Sequence, residues 1–578
     1  MRIAVTQFAT SLNSQENLAT CIRMIGEASV CEPALIVLPE YCNTLPWYVD
    51  HNQAWENALA ENGRFLQGIA EQAKKYHCYI VLGVTLRRDL IRDHQDGQIK
   101  SNIRVTSCLF SPQGELIQQV DKQTLIGHEN DFFTRACEKS DVATTPLAKL
   151  GLLIGGDIIT FDAAREHALA GAQLLCHSTS SFALDQSHLH GPARACENKI
   201  FFASANKVGA LVPQQQNSVI ASPSLIAEEH LVGMGHSQIV SPSGKVLARM
   251  ANNDEGFVFA DINLAESTHK LRADGTDIIE QRRPELYLQK AVTTIQLANV
   301  ELDNSVPETA NVAIFATYKS NEQAIEDVCH YIENNLSDII QLPELFFLSD
   351  KTLTQNAQQL VAIESLCEQL VSQISAMLRP FQYVCTSLIL EGVHQAVLIS
   401  ENGILARQQQ LHFCQRYQWT ALGNEINIVE LALEQGNIKL AMLTADDANV
   451  PELVNVVAAN GIQLMLVPFD IQEPCEVEYS LLSRAAENRI CIVAATREKS
   501  FANDLSFANR NDNNKNKVKS HKSTGLIANL NKNFDLLNPW GTRKLDDYIN
   551  KPLVKNQHGK ITKALVYPIA ACNKYFAD

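Results

Sequence analysis

Glu40 closes the apolar run ALIVLPE, Lys122 stands in QQVDKQTL, and Glu129 follows within the same stretch. A carboxylate, an ammonium and a second carboxylate are three of the four parts needed to hydrolyse an amide or nitrile with a thiol. Glu40 suits the base that takes the nucleophile's proton, Lys122 the cation that meets developing negative charge, and Glu129 the group that fixes that cation. Taken singly, each has the ordinary character of a surface salt-bridge residue, because charged side chains are mostly exposed. Their combination and order give them weight.

The elements that must position these residues occur twice. IVLPEY, which carries Glu40, returns as IIQLPELFF, which carries Glu344; KLGLLIGGD, ending at Asp157, returns as IKLAMLTAD, ending at Asp446; RACENKIFFASAN from Arg194 returns as RAAENRICIVAAT from Arg484. Three anchors in the same order read as divergent copies of one fold. Within each copy short β-branched runs alternate with amphipathic helical stretches, which predicts an α/β chain. Helices lying between strands of facing sheets suggest a layered α-β-β-α sandwich, with an ordinary doubly wound sheet as the alternative. The composition places the first domain at residues 1–297, a Pro-containing acidic linker at 298–309 and the second domain at 310–578.

At this point the chain resembles the nitrilase superfamily of carbon-nitrogen hydrolases. The resemblance rests on LPEY, DKQTLIGHE, LLIGGDIITFDAAREHALAGAQLL, ARACENKIFFASANKVG, GHSQIVSPSGKVL and RRPELY, and covers nearly all of residues 1–290. It implies a four-layer α-β-β-α sandwich, here duplicated in tandem, and a Glu, Lys, Cys triad with a second Glu: Glu40, Lys122 and Glu129. The cysteine's slot is Gly155, which has no side chain to attack anything. Cys42 and Cys176 are the nearest thiols and read as structural or pocket-wall residues. The hydroxyls of Ser178, Thr179, Ser180 and Ser181 fall where the family shapes its pocket and are poor substitutes for a thiol. In the second copy Glu344 persists, while the lysine slot aligns with His412, the second-Glu slot with Trp419 and the nucleophile slot with Thr444.

These readings imply a pseudo-hydrolase that binds or senses a small amide, nitrile or carboxylate-like ligand. The alternative is residual hydrolysis by a water that Glu40 activates and Lys122 assists as oxyanion stabiliser. A third reading makes the second copy a permanent partner of the first in an intrachain pseudo-dimer, with further homo-oligomers open.

Composition narrows the classes. Sixty-four acidic against 48 basic residues leave a net charge of -16, which disfavours binding to nucleic acid or to anionic membranes. The start MRIAVTQFAT lacks the features of a signal peptide, and no apolar run approaches the roughly 20 residues that span a bilayer; the expectation is a cytoplasmic protein. Fifteen cysteines without a C-x-x-C pair argue against a disulfide framework. No cofactor or metal is expected: Gly233-Met234-Gly235 lacks a dinucleotide fingerprint, and His188 with His190 lacks zinc spacing. The Asn/Lys-rich stretch 503–522 reads as a solvated insertion rather than a nucleic-acid contact.

Overall fold

The computed structural model describes residues 1–89, 102–136, 138, 140–213, 231–288, 292–296, 307, 309–317, 319–349, 357–497, 499–501, 519–521, 525–528 and 565–568. The chain forms two compact units, the first Met1–Lys270 and the second beginning at Leu271.

In the first unit β1 (Arg2–Gln7), β2 (Leu35–Val37), β3 (Tyr79–Arg87), β4 (Ile103–Phe110) and β5 (Leu116–Asp121) build one sheet. Further along the chain β6 (Ala143–Thr144), β7 (Lys149–Ile154), β8 (Leu174–Ser178), β9 (Phe201–Ala205), β10 (Gln238–Val240) and β11 (Val246–Arg249) build a second, and β12 (Gly256–Asp261) returns to the edge of the first. The strand orders are β12-β1-β2-β3-β4-β5 and β11-β10-β9-β8-β7-β6. The two-residue period of a strand decides which side chains meet where. Ile3 and Val5 of β1 join Leu150, Leu152, Leu174 and Phe201 in the core between the sheets, while Ala4 faces the other way, toward Met24 and Ile25.

Those two residues lie on α1 (Ser14–Ala28), whose buried Cys21, Met24, Ile25 and Ala28 recur at helical spacing and whose first turn is capped by the Asn13 side chain. With α2 (Arg64–Tyr76) it covers the first sheet. The outer face of the second sheet is covered by α3 (Asp162–Leu169) and α4 (Gly191–Asn198) through Ala163, Ala164, Ala168 and Ala195 against Leu153, Leu175 and Phe202. This is an α/β sandwich layered α-β-β-α.

The second unit repeats the arrangement. Its elements are β13 (Val292–Gln296), β14 (Thr309–Ile314), α5 (Asn321–Glu333), β15 (Ile339–Gln341), α6 (Ala357–Met377), β16 (Tyr383–Leu390), β17 (Val393–Ser400), β18 (Gly403–Gln409), β19 (Ile426–Leu433), β20 (Gly436–Met442), α7 (Pro451–Ala459), β21 (Leu464–Pro468), α8 (Leu481–Asn488), β22 (Cys491–Ala495), β23 (Gly525–Ala528) and β24 (Leu565–Pro568). The sheets run β24-β14-β15-β16-β17-β18 and β23-β22-β21-β20-β19-β13. Val312, Cys385 and Leu398 meet Val429, Leu440, Leu464 and Val493 between them.

The division between units falls earlier than the composition suggests. Residues 271–288, expected in the first domain, are tied into the second. Arg272 pairs with Asp446 at 3.1 Å and Glu476 at 2.9 Å, Arg282 with Glu452, and Arg283 donates to the Leu411 and Gly423 carbonyls. The buried Arg272 guanidinium must stay with its two carboxylates, so the segment goes where its partners are. Except for Pro307 and Thr309, the expected linker 298–309 lies outside the described residues, as does the stretch 503–522 apart from Lys519–His521. Among the described residues no helix is long and apolar enough to cross a membrane, and all described cysteines are free thiols.

Candidate active site

Glu40 follows β2, where Leu38 N–H bonds Val81 O and carries the chain past β3. Gly83 makes that passage possible: a β-carbon there would lie 2.7 Å from Glu40 Cα. Lys122 follows β5, its N–H on Val105 O and its carbonyl receiving Ala136 N–H, so the loop from 122 to 136 is fastened at both ends. Glu129 sits in that loop at the start of a single helical turn, Glu129–Phe132.

The structure brings the three charges together. Lys122 Nζ donates to Glu40 Oε1 at 2.9 Å and to Glu129 Oε1 at 2.7 Å. Tyr41 OH donates to the same Glu129 oxygen at 2.6 Å, and Ile126 N–H satisfies the other. Glu40 and Lys122 are each 2% exposed. Burial raises the Glu40 carboxyl to about 7 against the pull of the Lys122 charge. Burial alone would lower Lys122, but Glu129 and Glu40 outweigh it and hold the ammonium above its ordinary value.

Gly155 faces this group from the end of β7. Its φ is +51°, and a β-carbon on it would stand 2.4 Å from Lys122 Nζ and 2.6 Å from Glu40 Oε1. A side chain at 155 would therefore project straight between base and cation. Among the described residues no cysteine sulfur bonds either of them. Cys42 donates to Pro39 O at 3.1 Å, and Cys176 lies in the core between the sheets. The hydroxyls are braces: Ser178 holds Leu38 O at 2.7 Å, Thr179 bonds Gln186 Oε1, and Ser181 receives Ala183 N–H. Ser180 is half-buried.

Four supporting residues are invisible as such in the sequence. Tyr41, following the Glu40 of LPEY, orients Glu129. Asp157 accepts from Gln123 N–H at 3.0 Å and Thr124 N–H at 2.8 Å, pinning the loop next to Lys122; burial raises its carboxyl to about 7. Lys207, fully buried, donates to Tyr41 O and Thr10 Oγ1, and burial lowers its ammonium to about 8. His177 contacts Gly155 O at 2.9 Å. Each sits in an apolar run that gives no sign of a polar partner across the sheet.

The family description "carbon-nitrogen hydrolase" matches residues 2–270. The first half of this chain belongs to the nitrilase superfamily. A probable nitrilase of Schizosaccharomyces pombe is 28% identical over 292 residues, covering 49% of this chain and 96% of its own length. The omega-amidase of Homo sapiens is 24% identical over 298 residues, covering 50% and 96%. Among solved structures, a double mutant of the amidase from Nesterenkonia sp. AN1 in complex with acrylamide is 23% identical with a TM-score of 0.38, covering 50% of this chain and 95% of that one.

Set against the nitrilase-superfamily half, the strand register of the second unit revises three sequence equivalences. Lys122 N–H bonds Val105 O; the matching bond between β18 and β17 is Gln410 N–H to His394 O. The lysine slot is therefore Gln410, not His412. Glu129 N–H bonds Ile126 O where Tyr417 N–H bonds Cys414 O, so the second-Glu slot is Tyr417, not Trp419. The turn after β7 spans Gly155–Ile158 with Ile154 as its cap, and the turn after β20 spans Ala445–Ala448 with Thr444 as its cap. Ala445 is thus the counterpart of Gly155, and Thr444 that of Ile154. Asp447 accepts from Leu411 and His412 N–H as Asp157 does from Gln123 and Thr124. Insertions and deletions between anchors shift the offset, and a constant spacing misplaces every residue of the loop.

Among the described residues neither a thiol nor a lysine bonds Glu344. Its Oε2 accepts from Arg416 Nη1 and Tyr417 OH, both at 2.9 Å, and Arg416 also binds Asp446 and Asp470. His412 pairs with Asp447 at 2.8 Å and meets Tyr287 OH, while Thr444 Oγ1 donates to Asp447. Asp274, Cys414 and Asp446 approach closely enough to hold an ion, yet both Asp446 oxygens are taken by Arg272 and Arg416. Guanidinium groups fill that position, and a fixed cation cannot relay protons.

Proposed function

We propose that the first unit is a small-molecule-binding or regulatory pseudo-hydrolase of the nitrilase superfamily. It holds an amide, nitrile or carboxylate-like ligand at Glu40, Lys122 and Glu129 without forming a covalent intermediate. The carrying observation is that a side chain at residue 155 would point between Lys122 Nζ and Glu40 Oε1, and residue 155 is glycine. The second unit, read as a divergent copy, contributes structure rather than chemistry, because its cation is an arginine clamped by three carboxylates. Relatives named as nitrilase and omega-amidase make nitriles and amides the probes of choice.

The test is thermal stabilisation of the full chain by a panel of small amides, nitriles and carboxylates, since a ligand that binds only the folded state raises its melting temperature. A shift that Lys122→Met abolishes supports the reading; no shift with any member removes it. One observation favours a second reading, residual hydrolysis by water: burial brings Glu40 to about 7, where a carboxylate can act as general base. Ammonia release that disappears in Glu40→Gln would decide for it.

A further inference from the structure

His177 ties down the backbone of the glycine slot. It lies on β8 beside Leu153 of β7, fully buried, with its ring tilted on Phe202 at a centroid separation of 5.5 Å. Nε2 stands 2.9 Å from Gly155 O, and Nδ1 stands 2.9 Å from Ser204 Oγ. A carbonyl oxygen can only accept, so Nε2 carries the proton and Nδ1 accepts from the Ser204 hydroxyl. This arrangement needs the neutral ring, and burial accordingly lowers the imidazole to about 4.

The C=O and N–H of a trans peptide point in opposite directions. Holding Gly155 O against β8 turns the Gly156 N–H away from β8. The loop that carries Lys122 and Glu129 lies directly beside Gly156: a β-carbon there would stand 2.7 Å from Ile126 Cδ1 and 3.2 Å from Thr124 O. Two successive glycines leave this peptide little local preference, and Gly155 already sits at positive φ. The 3-10 turn Gly155–Ile158 engages this peptide from within, and the His177 ring holds the Gly155 carbonyl from β8.

We propose that His177 is a positioning residue: it locks the Gly155–Gly156 peptide so that the Gly156 N–H and the Lys122 ammonium present two donors to one oxygen of a bound amide or carboxylate. The inference rests on the ligand-binding reading of the first unit, and the experiment separates the two.

Gly155–Gly156 is the only Gly-Gly step in the sequence. Full-length chain labelled with carbonyl-13C and amide-15N glycine therefore gives a single correlated resonance for that peptide. His177→Gln keeps an N–H near the Nε2 position, whereas His177→Asn reaches only the Nδ1 position. The expected result is a wild-type-like peptide resonance and affinity for butyramide or butyrate in the Gln variant. In the Asn variant the resonance moves and affinity weakens about tenfold, the loss of one oriented donor. An Asn variant with unchanged resonance and affinity would overturn the proposal. If the wild type binds neither probe, the binding reading fails, and the resonance still decides whether His177 holds the peptide. Should the Asn variant not fold, Ser204→Ala, which frees Nδ1, is expected to move the same resonance; an unmoved resonance there counts against the proposal.

Discussion

Lys122 Nζ stands 2.4 Å from the point that a β-carbon on Gly155 would occupy, closer than any settled contact allows. Among the described residues, Lys122 and Glu40 supply the atoms nearest to that point. A Gly155→Cys variant must push both flexible ends aside and carry a side chain at φ +51°, at a cost of about 1–3 kcal/mol. The expected outcome is a lower melting temperature by scanning calorimetry, together with one additional thiol alkylated by iodoacetamide. An unchanged melting temperature would show that the slot is roomier than its geometry.

Removing the cation is costlier. Lys122→Met leaves Glu40 and Glu129 buried against each other without a counter-charge, and breaking such a pair destabilises by about 3–5 kcal/mol. Lys122→Met combined with Glu40→Gln and Glu129→Gln is expected to recover much of the loss, because no uncompensated charge remains. Urea unfolding of the three proteins measures both steps.

Asp157 gives a pH signature. Its folded carboxyl is raised to about 7 from an ordinary 3.8, so the folded state binds the proton more tightly than the unfolded one. Its contribution is therefore whole below about pH 4 and is lost as the pH rises toward 7. Asp157→Asn keeps an acceptor for Gln123 and Thr124 without titrating. Melting temperatures between pH 4.5 and 8 should fall less steeply in this variant than in the wild type; parallel curves would contradict the assignment.

How much of this was readable in the sequence follows from what each residue touches. Glu40, Lys122 and Glu129 lie in runs whose order carries meaning, and Gly155 could be placed because the nitrilase resemblance puts the cysteine two residues before the acidic position, here Asp157. His177, Lys207 and Asp157 could not be assigned roles, since their partners come from other strands or from the loop beyond β5. The second copy misled for a different reason. Its strands align well, and Gln410 to Tyr417 keeps the length of Lys122 to Glu129, but the stretch from Tyr417 to Ala445 is two residues longer than that from Glu129 to Gly155. Only hydrogen-bond register could show that Gln410 and Ala445, rather than His412 and Thr444, fill the equivalent places. The domain boundary was hidden in Arg272, Arg282 and Arg283, whose partners lie far along the chain.

In the second unit Arg416 binds Glu344, Asp446 and Asp470. Arg416→Met should destabilise by several kcal/mol, roughly 3–5, because three carboxylates lose their shared cation. Thr444→Val, which removes a single hydroxyl bond to Asp447, should cost only about 1 kcal/mol. Denaturant midpoints of the two variants check the ranking, and a Thr444 effect as large as that of Arg416 would restore chemistry to the hydroxyl.

The most direct measurement is ammonia release by the wild-type chain and by Glu40→Gln on the same amides and nitriles. With no nucleophile at residue 155, the expected result is equal, background rates from both proteins while the wild type alone is thermally stabilised by a ligand. Turnover in the wild type that vanishes in Glu40→Gln would contradict a pseudo-hydrolase outright.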